Sequence, residues 1–147
     1  MNLLTRNTDY AVRALIYMSG KHPGRVSTAD LDRDLHLPRP FMRKILQMLQ
    51  KAGYLASVKG KNGGFTLAKA PARIRLTELI TLFQGPVSMG DCLFRKKLCD
   101  CANGCPLRRE IKGIEAMALA RLKAVTLATL MRAGHRPAPT HDKGPAQ

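Results

Sequence analysis

The sequence predicts a mainly α-helical chain with one small β-hairpin, and three observations lead to this fold class. Apolar residues recur at helical spacing through much of the chain. Two short helical stretches meet at Pro38 and Pro40, which prevent a single helix from running through. A glycine- and lysine-rich run over 59–64 separates two short segments typical of strands. Together these features predict a winged helix-turn-helix domain followed by a long helix.

The first predicted helix runs from Leu3 to Gly20 and carries a broad apolar stripe. Asn7 or Thr8 is expected to cap its start, and the glycine to end it. Asp9 falls in the first turn, where a carboxylate complements the positive end of the helix dipole.

The two helices of the helix-turn-helix are predicted from residues that typically begin or end a helix. Ser27 and Asp30 form a capping-box pattern, so a helix is expected from Thr28 to about Leu35. The second helix is expected over 40–52 with Gly53 as its stop. Its predicted inward positions are Phe41, Ile45, Leu46, Met48 and Leu49.

A β-hairpin is predicted directly after this pair. The strands are expected over 54–58 and 65–68, joined by a turn whose residues tolerate positive φ. Lys59 and Lys61 lie in that turn without a neighbouring acid, which suits a surface that meets phosphates.

The C-terminal half is predicted to contain two further helices. One runs from Leu76 to Phe83 and is stopped by the Gly85 that follows. The other starts at Pro106 and has a stripe at 3- and 4-residue steps: Leu107, Ile111, Ile114, Ala118, Leu122, Val125 and Thr129. A domain this small has little left to cover such a stripe, so a second copy of the chain is the expected cover. The alternative is that this helix folds back on its own domain.

The expected organisation therefore has four parts. Residues 1–85 form the winged helix-turn-helix domain, 86–105 a cysteine-rich loop, 106–133 a dimerisation helix, and 134–147 a tail with the composition of a disordered segment.

The charge of the chain indicates a polyanionic partner. Lys and Arg number 25 against 10 Asp and Glu, giving a formal net charge of +15 over 147 residues. Nucleic acid is the first candidate and an anionic membrane surface the second. No apolar run approaches the roughly 20 residues of a spanning helix, so no membrane partner is predicted. Arg6 and Asp9 interrupt the start of the chain in a way that signal peptides do not, so a cytosolic location is expected.

Double-stranded DNA is the predicted partner of the helix-turn-helix. In a winged helix the second helix of the pair enters the major groove with its N-terminal residues facing bases. Arg39 and Arg43 are candidates for guanine, and Lys44 for phosphate. Thr28 can donate to a phosphate from the start of its helix.

All four cysteines fall within residues 92–105, with the spacing Cys92-x6-Cys99-x-Cys101-x3-Cys105. Three hypotheses compete for them: an iron–sulfur cluster, a structural zinc, and a metal-free thiol switch. Zinc sites usually pair their ligands as two Cys-x2–4-Cys knuckles. The Cys-x-Cys step and the long first gap of this segment leave zinc possible but do not single it out. Nearby basic residues suit both an anionic cluster and reactive thiols.

Several motifs resemble the Rrf-type transcriptional regulators, the family of the NsrR, IscR and RirA proteins. They are Thr-Asp-Tyr-Ala-Val-Arg-Ala-Leu over 8–15, Leu-Pro-Arg-Pro-Phe over 37–41, and Lys-Gly-Lys-Asn-Gly-Gly-Phe-Thr-Leu-Ala over 59–68. They occur in the family's order, and the resemblance covers about residues 1–130. It implies a dimer with a winged-helix domain, a long dimerisation helix and, in many members, a cluster held by three cysteines.

The resemblance also implies a ligand set. Family members separate their last two cysteines by five residues, as Cys99 and Cys105 are separated here, so these two and Cys92 are the family-like ligands. Cys101 is additional, and is a fourth ligand, a replacement or a bystander. In NsrR-like members an Asp of the other subunit completes the set, and Asp9 stands at the matching place. The IscR-like His after the last cysteine is missing, since Leu-Arg-Arg stands at 107–109.

The resulting expectation is a homodimeric cytosolic repressor that binds a palindromic operator and carries a 4Fe–4S cluster, ahead of a 2Fe–2S one. It would sense nitric oxide, iron or redox state. The alternative is a cluster-free winged-helix regulator with a structural zinc or a thiol redox switch. No nucleophile–base pair or phosphate loop stands out, so no enzyme is predicted.

Overall fold

A computed structural model describes residues 4–61, 63–88 and 105–133, and it confirms the predicted fold class. The helices are α1 (Arg6–Gly20), α2 (Thr28–Leu35), α3 (Arg39–Lys51), α4 (Leu76–Gln84), α5 (Pro106–Lys123) and α6 (Leu127–Arg132), the strands are β1 (Leu55–Val58) and β2 (Gly64–Leu67), and a short 3₁₀ helix spans Pro71–Arg73. The tail predicted at 134–147 and most of the cysteine-rich loop lie outside the described residues.

The start of α1 differs from the prediction. Thr5 is the N-cap, and its hydroxyl accepts a hydrogen bond from the backbone N–H of Thr8. Neither Asn7 nor Thr8 is the cap, because both lie inside the helix, where the Thr8 hydroxyl donates to Gln84. The helix therefore begins at Arg6, three residues later than predicted.

The start of α2 is as predicted. The backbone N–H of Asp30 donates to the Ser27 hydroxyl at 3.2 Å, and the Ser27 N–H donates to the Asp30 carboxylate at 2.9 Å. This reciprocal capping box satisfies two backbone donors that a helix start otherwise leaves unpaired. His36 ends the helix with a φ of 53°, in the left-handed region.

The predicted inward face of α3 was wrong at Phe41, and Met48 is only half-buried and lies outside the core. Phe41 is 57% exposed, and Met42 is fully buried in its place. Met42, Ile45, Leu46 and Leu49 share one side of the helix at 3- and 4-residue steps, so a core on that side leaves Phe41 outside it.

The predicted hairpin forms, with Leu55 paired to Leu67 and Val58 to Gly64 in antiparallel register. The wing gains a further attachment that the sequence did not predict. Val26 and Phe65 exchange backbone hydrogen bonds of 3.0 and 2.9 Å, which ties the hairpin to the α1–α2 connection. The backbone approaches so closely here that a Cβ on Gly64 would lie 2.8 Å from the carbonyl oxygen of Val26.

The long helix predicted over 106–133 is two helices. The Thr126 hydroxyl accepts from the backbone N–H of Thr129 at 3.2 Å and caps α6. Backbone bonds from Leu76 to Val125 and from Leu127 to Ile74 hold the intervening residues in an extended bridge. Because the chain is extended in this bridge, α5 ends at Lys123.

The two C-terminal helices are packed differently. α6 returns to the winged-helix domain and places Leu127, 1% exposed, in the core with Leu15 and Ile74. α5 has no buried residue, although it packs along α4. Three of its large apolar side chains are 50% exposed or more: Leu107, Ile114 and Met117. The fold-back alternative thus describes α6, and the apolar face of α5 remains uncovered within the described chain.

Candidate nucleic-acid interface and sensor residues

The predicted DNA-contacting residues of the helix-turn-helix lie in the N-terminal parts of two helices that pack together. Thr28 is the first residue of α2, and Arg39 is the first residue of α3. Arg43 and Lys44 follow on α3 and are exposed. Because the buried residues of α3 occupy its opposite side, the basic side chains lie on a face that is available to a duplex.

Arg39 has a partner that sequence reasoning missed. Its Nε donates to the Asp32 carboxylate of α2 at 2.6 Å, across the turn between the two helices. Both side chains are more than a third exposed, so the pair adds little stability. It does orient the guanidinium at the start of α3. The seven-residue separation crosses a turn, and no local pattern signals it.

The wing carries Lys59 and Lys61 in its turn, and both are exposed. Gln50 of α3 donates to the Ser57 hydroxyl of β1 at 2.9 Å. This bond and the Val26–Phe65 pair fix the hairpin to the helix-turn-helix, so its lysines have a defined position beside α3.

A polar network steadies α2. The Tyr17 hydroxyl donates to Asp34, whose carboxylate also accepts from Arg33 Nε at 2.7 Å. Arg33, and to a lesser extent the Tyr17 hydrogen bond, lower the pKa of Asp34 to about 2. Burial, reinforced by Asp34, raises the pKa of Tyr17 to about 12. Bonds from Ser27 lower the pKa of Asp30, so both acids stay ionised far below neutral pH.

Two of the five candidate metal ligands lie in the described residues. Cys105 is a partly buried free thiol at the N-cap of α5. Asp9 lies in the first turn of α1, where Arg13 donates to it at 2.9 Å. Its side chain is 42% exposed, and surface pairs of this kind are worth at most about 1 kcal/mol, so this ion pair is no barrier to ligation.

The other three candidate ligands, Cys92, Cys99 and Cys101, lie outside the described residues. Within residues 4–61, 63–88 and 105–133, no three side chains of His, Cys, Asp or Glu converge to hold a metal ion. The ligand set therefore stays a prediction. The Cys105 thiol and the accessible Asp9 carboxylate, which the structure does describe, are donor types that iron binds.

Gln84 joins the start of α1 to the end of α4. Its side-chain oxygen accepts from the Thr5 backbone N–H at 2.9 Å and from the Thr8 hydroxyl at 3.0 Å. Thr8 immediately precedes Asp9, and Gln84 is the last residue before the chain leaves α4 towards the cysteines. The end of α4 is therefore hydrogen-bonded to the first turn of α1, the turn that carries Asp9.

A second joint connects the wing to α4. The Tyr54 hydroxyl donates to Glu78 at 3.1 Å, and the Lys69 ammonium lies 4.2 Å from the centre of the Tyr54 ring. Burial, followed by the bond to Glu78, raises the pKa of Tyr54 to about 12. Tyr54 also lines an open groove of about 590 Å³ whose other walls include Leu82 of α4 and Leu119 of α5.

The hairpin on a helix-turn-helix and its exposed basic residues define a winged-helix DNA-binding protein. A sequence model of the Rrf2 family, described as an iron-dependent transcriptional regulator, matches residues 4–133. The chain belongs to this family, and is accordingly a transcriptional regulator and not an enzyme.

Solved structures share the fold. The structure of CymR (YrzC), the global cysteine regulator of B. subtilis, is 23% identical, with a TM-score of 0.76 over 90% of this chain and 98% of that one. T. potens IscR is 19% identical, with a TM-score of 0.69 over 95% and 93% of the two chains. Staphylococcus aureus CymR in its oxidized form is 20% identical, with a TM-score of 0.67 over 89% and 96%.

None of the described helices is both long enough and apolar enough to cross a bilayer.

Proposed function

We propose that this regulator is a homodimeric repressor whose cysteine-rich segment holds an iron–sulfur cluster, and that the state of the cluster sets its affinity for a palindromic operator. The observation that carries the proposal is the placement of four thiols within 14 positions, between α4 and α5, in a chain of a family described as iron-dependent. Thiolates at such density favour iron–sulfur ligation in a reducing compartment.

The proposed ligands are Cys92, Cys99 and Cys105, completed by Asp9 of the second copy. A carboxylate is a harder ligand than a thiolate and is displaced more easily. Cys101 competes with Asp9 for the last position. When bound, a 4Fe–4S cluster supplies iron centres that react with nitric oxide or oxygen and that reflect iron supply.

The residues of the chain itself provide a path from this segment to the DNA-binding face. Gln84 holds the end of α4 against the first turn of α1, and Tyr54 joins α4 to the base of the wing through Glu78. Both joints are direct side-chain contacts. A displaced α4 would therefore carry the winged-helix part with it and change the spacing of the two α3 helices in the dimer. A shift of a few kcal/mol between two such states changes operator occupancy substantially.

On DNA, α3 is proposed to enter the major groove. Arg39 and Arg43 are assigned to guanine edges, whereas Lys44 and Thr28 are assigned to phosphates. Lys59 and Lys61 of the wing contact the backbone beside the same half-site. Each protomer then reads one half of the operator, and the spacing of the halves follows from the dimer.

The dimer is proposed to form through the exposed face of α5. Ile114, 50% exposed, lies in the middle of that face. Replacing it by a charge, Ile114→Glu, should convert a dimer into a monomer in sedimentation experiments. The matched control Lys112→Glu changes a neighbouring exposed position and should stay dimeric; equal dimer content in all three proteins would contradict the proposal.

Anaerobic purification tests the cluster. The protein should be brown and contain iron and acid-labile sulfide, and Cys92→Ser, Cys99→Ser and Cys105→Ser should each abolish both. Cys101→Ser is the matched control within the same segment and should retain the cluster if Asp9 is the fourth ligand. Asp9→Ala should then give a cluster that is lost faster to a chelator. Colourless protein without iron or sulfide after reconstitution would refute the cluster.

The second candidate is a cluster-free regulator in which the thiols bind zinc or form a redox switch. Two observations favour keeping it: Cys101 exceeds the family-like set, and S. aureus CymR has been solved in an oxidized form. The same assay separates the two, because this candidate predicts zinc or reversible disulfides in place of iron and sulfide.

A further inference from the structure

Phe41 is a large aromatic residue that the core does not use. Its side chain is 57% exposed in the first turn of α3, beside a fully buried Met42. Turning a phenyl ring to water forgoes much of the stabilisation that its burial would contribute. The fold therefore gives no reason for this residue type at this position.

The neighbours of Phe41 are charged. Arg39 precedes it by two residues, and Arg43 and Lys44 follow within one turn. Pro40 sits within the first turn and restricts its backbone, so Phe41 is carried on a preorganised segment. An apolar ring inside a basic helix start fits a surface that combines phosphates with an exposed apolar group.

The major groove offers one apolar group of this kind. Each base pair presents a pattern of donors and acceptors there, and thymine alone adds a C5-methyl. Arginine and lysine select guanine or phosphate, so the charged residues of the same turn do not read that methyl. A phenyl side chain makes no use of the phosphates but packs well on a methyl group.

We propose that Phe41 is a specificity-determining residue that contacts the C5-methyl of a thymine in each half of the operator. The proposal rests on the proposed entry of α3 into the major groove and extends it from guanine and phosphate contacts to one further base. Phe41 thereby adds a thymine requirement that the basic residues cannot impose.

The test begins with an operator selected from random duplex DNA by the purified full-length chain. Each thymine of that operator is then replaced by uracil, which removes the methyl and keeps the base pairing. At one thymine position of each half-site, a single replacement should lower the affinity of the wild-type chain about fourfold. This is the loss expected for one buried methyl of about 0.8 kcal/mol. Phe41→Ala should bind the unmodified operator more weakly and lose the uracil effect at that position.

Two variants control the interpretation. Phe41→Leu keeps an apolar side chain and should retain part of the uracil effect. Arg43→Ala should weaken binding while leaving the fourfold uracil effect intact. Circular dichroism should show unchanged helix content for Phe41→Ala, because the side chain contributes nothing to the core.

The outcomes separate this proposal from the one on which it rests. An undiminished uracil effect in Phe41→Ala, or no methyl-sensitive thymine at all, overturns the role of Phe41 while α3 still reads DNA through Arg43. A wild-type chain that selects no sequence overturns both.

Discussion

The winged-helix part and α5 differ in how each is stabilised. The winged-helix part buries its own core, with Leu15, Leu46 and Ile80 fully enclosed, and α6 adds Leu127 from the far end of the chain. α5 is longer than any helix of that part and yet buries no residue, while Leu107 and Ile114 face outwards. The first region buries its apolar residues within one chain, whereas the second leaves an apolar face exposed among the residues that the structure describes.

This difference assigns separate tasks to the two regions. A closed core holds α3 and the wing in a fixed relation, as reading a DNA sequence requires. Under the proposed function, the open helix that follows the cysteine segment is the part that meets the second copy of the chain. The two joints at Gln84 and Tyr54 lie within the winged-helix part, on α4, the helix along which α5 packs.

The largest expected effect comes from truncating matched apolar residues in the two regions. Leu46→Ala should lower the free energy of unfolding by about 2–5 kcal/mol, because a fully buried leucine leaves a cavity. Ile114→Ala should change the unfolding of the winged-helix part by less than about 0.5 kcal/mol. Denaturant titrations followed by circular dichroism at low protein concentration provide the comparison, and similar losses in both variants would remove the distinction.

A smaller effect is expected at the wing. Gly64→Ala places a Cβ 2.8 Å from the Val26 carbonyl oxygen, so the Val26–Phe65 backbone pair must shift. We expect a loss of about 1–3 kcal/mol in stability together with weaker operator binding. Gly20→Ala is the control, since a Cβ there meets no atom within 4 Å. Equal behaviour of the two variants in thermal melts and binding assays would show that the wing is not tied at Val26.

Acid should weaken α2. The folded-state pKa of Asp34 is about 2, below the roughly 3.9 of an unfolded chain, so its contribution is complete above that value and is lost as pH falls towards 2. The lowered pKa of Asp30 acts in the same direction. Melting temperatures at low ionic strength should fall between pH 4 and pH 2, and less steeply for Asp34→Asn. Parallel curves for wild type and variant would contradict this.

The smallest expected effect concerns the helix-turn-helix turn. His36 adopts a left-handed conformation that costs residues with a Cβ about 1–2 kcal/mol, whereas glycine adopts it freely. After the greater entropy of an unfolded glycine is deducted, His36→Gly should raise the free energy of unfolding by about 0.5 kcal/mol. His36→Val should lower it, because branching at Cβ aggravates the clash. Urea titrations resolve these signs, and a stabilising valine would refute the account of the turn.

Local signals predicted most of the winged-helix part. The capping box at Ser27 gave the start of α2 correctly, and Gly85 ended α4 as expected, because such signals act within a few residues. The errors arose from contacts between distant residues. The bridge from Arg75 to Thr126 broke the predicted long helix, and the choice between Phe41 and Met42 depended on where the core lies.

The candidate site divides in the same way. The predicted basic residues occur at exposed positions of α3 and the wing, since helix-turn-helix patterning places them. The Asp32–Arg39 pair and the Gln84 joint were missed, because each joins residues whose proximity exists only in the folded chain. The ligand set of the cysteine segment stays a prediction.

Operator affinity with and without the cluster tests the central claim most directly. Protein reconstituted anaerobically and the same preparation stripped by a chelator should be titrated against one selected operator at fixed salt. The account predicts affinities that differ by at least about tenfold, corresponding to a coupling free energy of about 1.4 kcal/mol. Equal affinities for the two forms would contradict it.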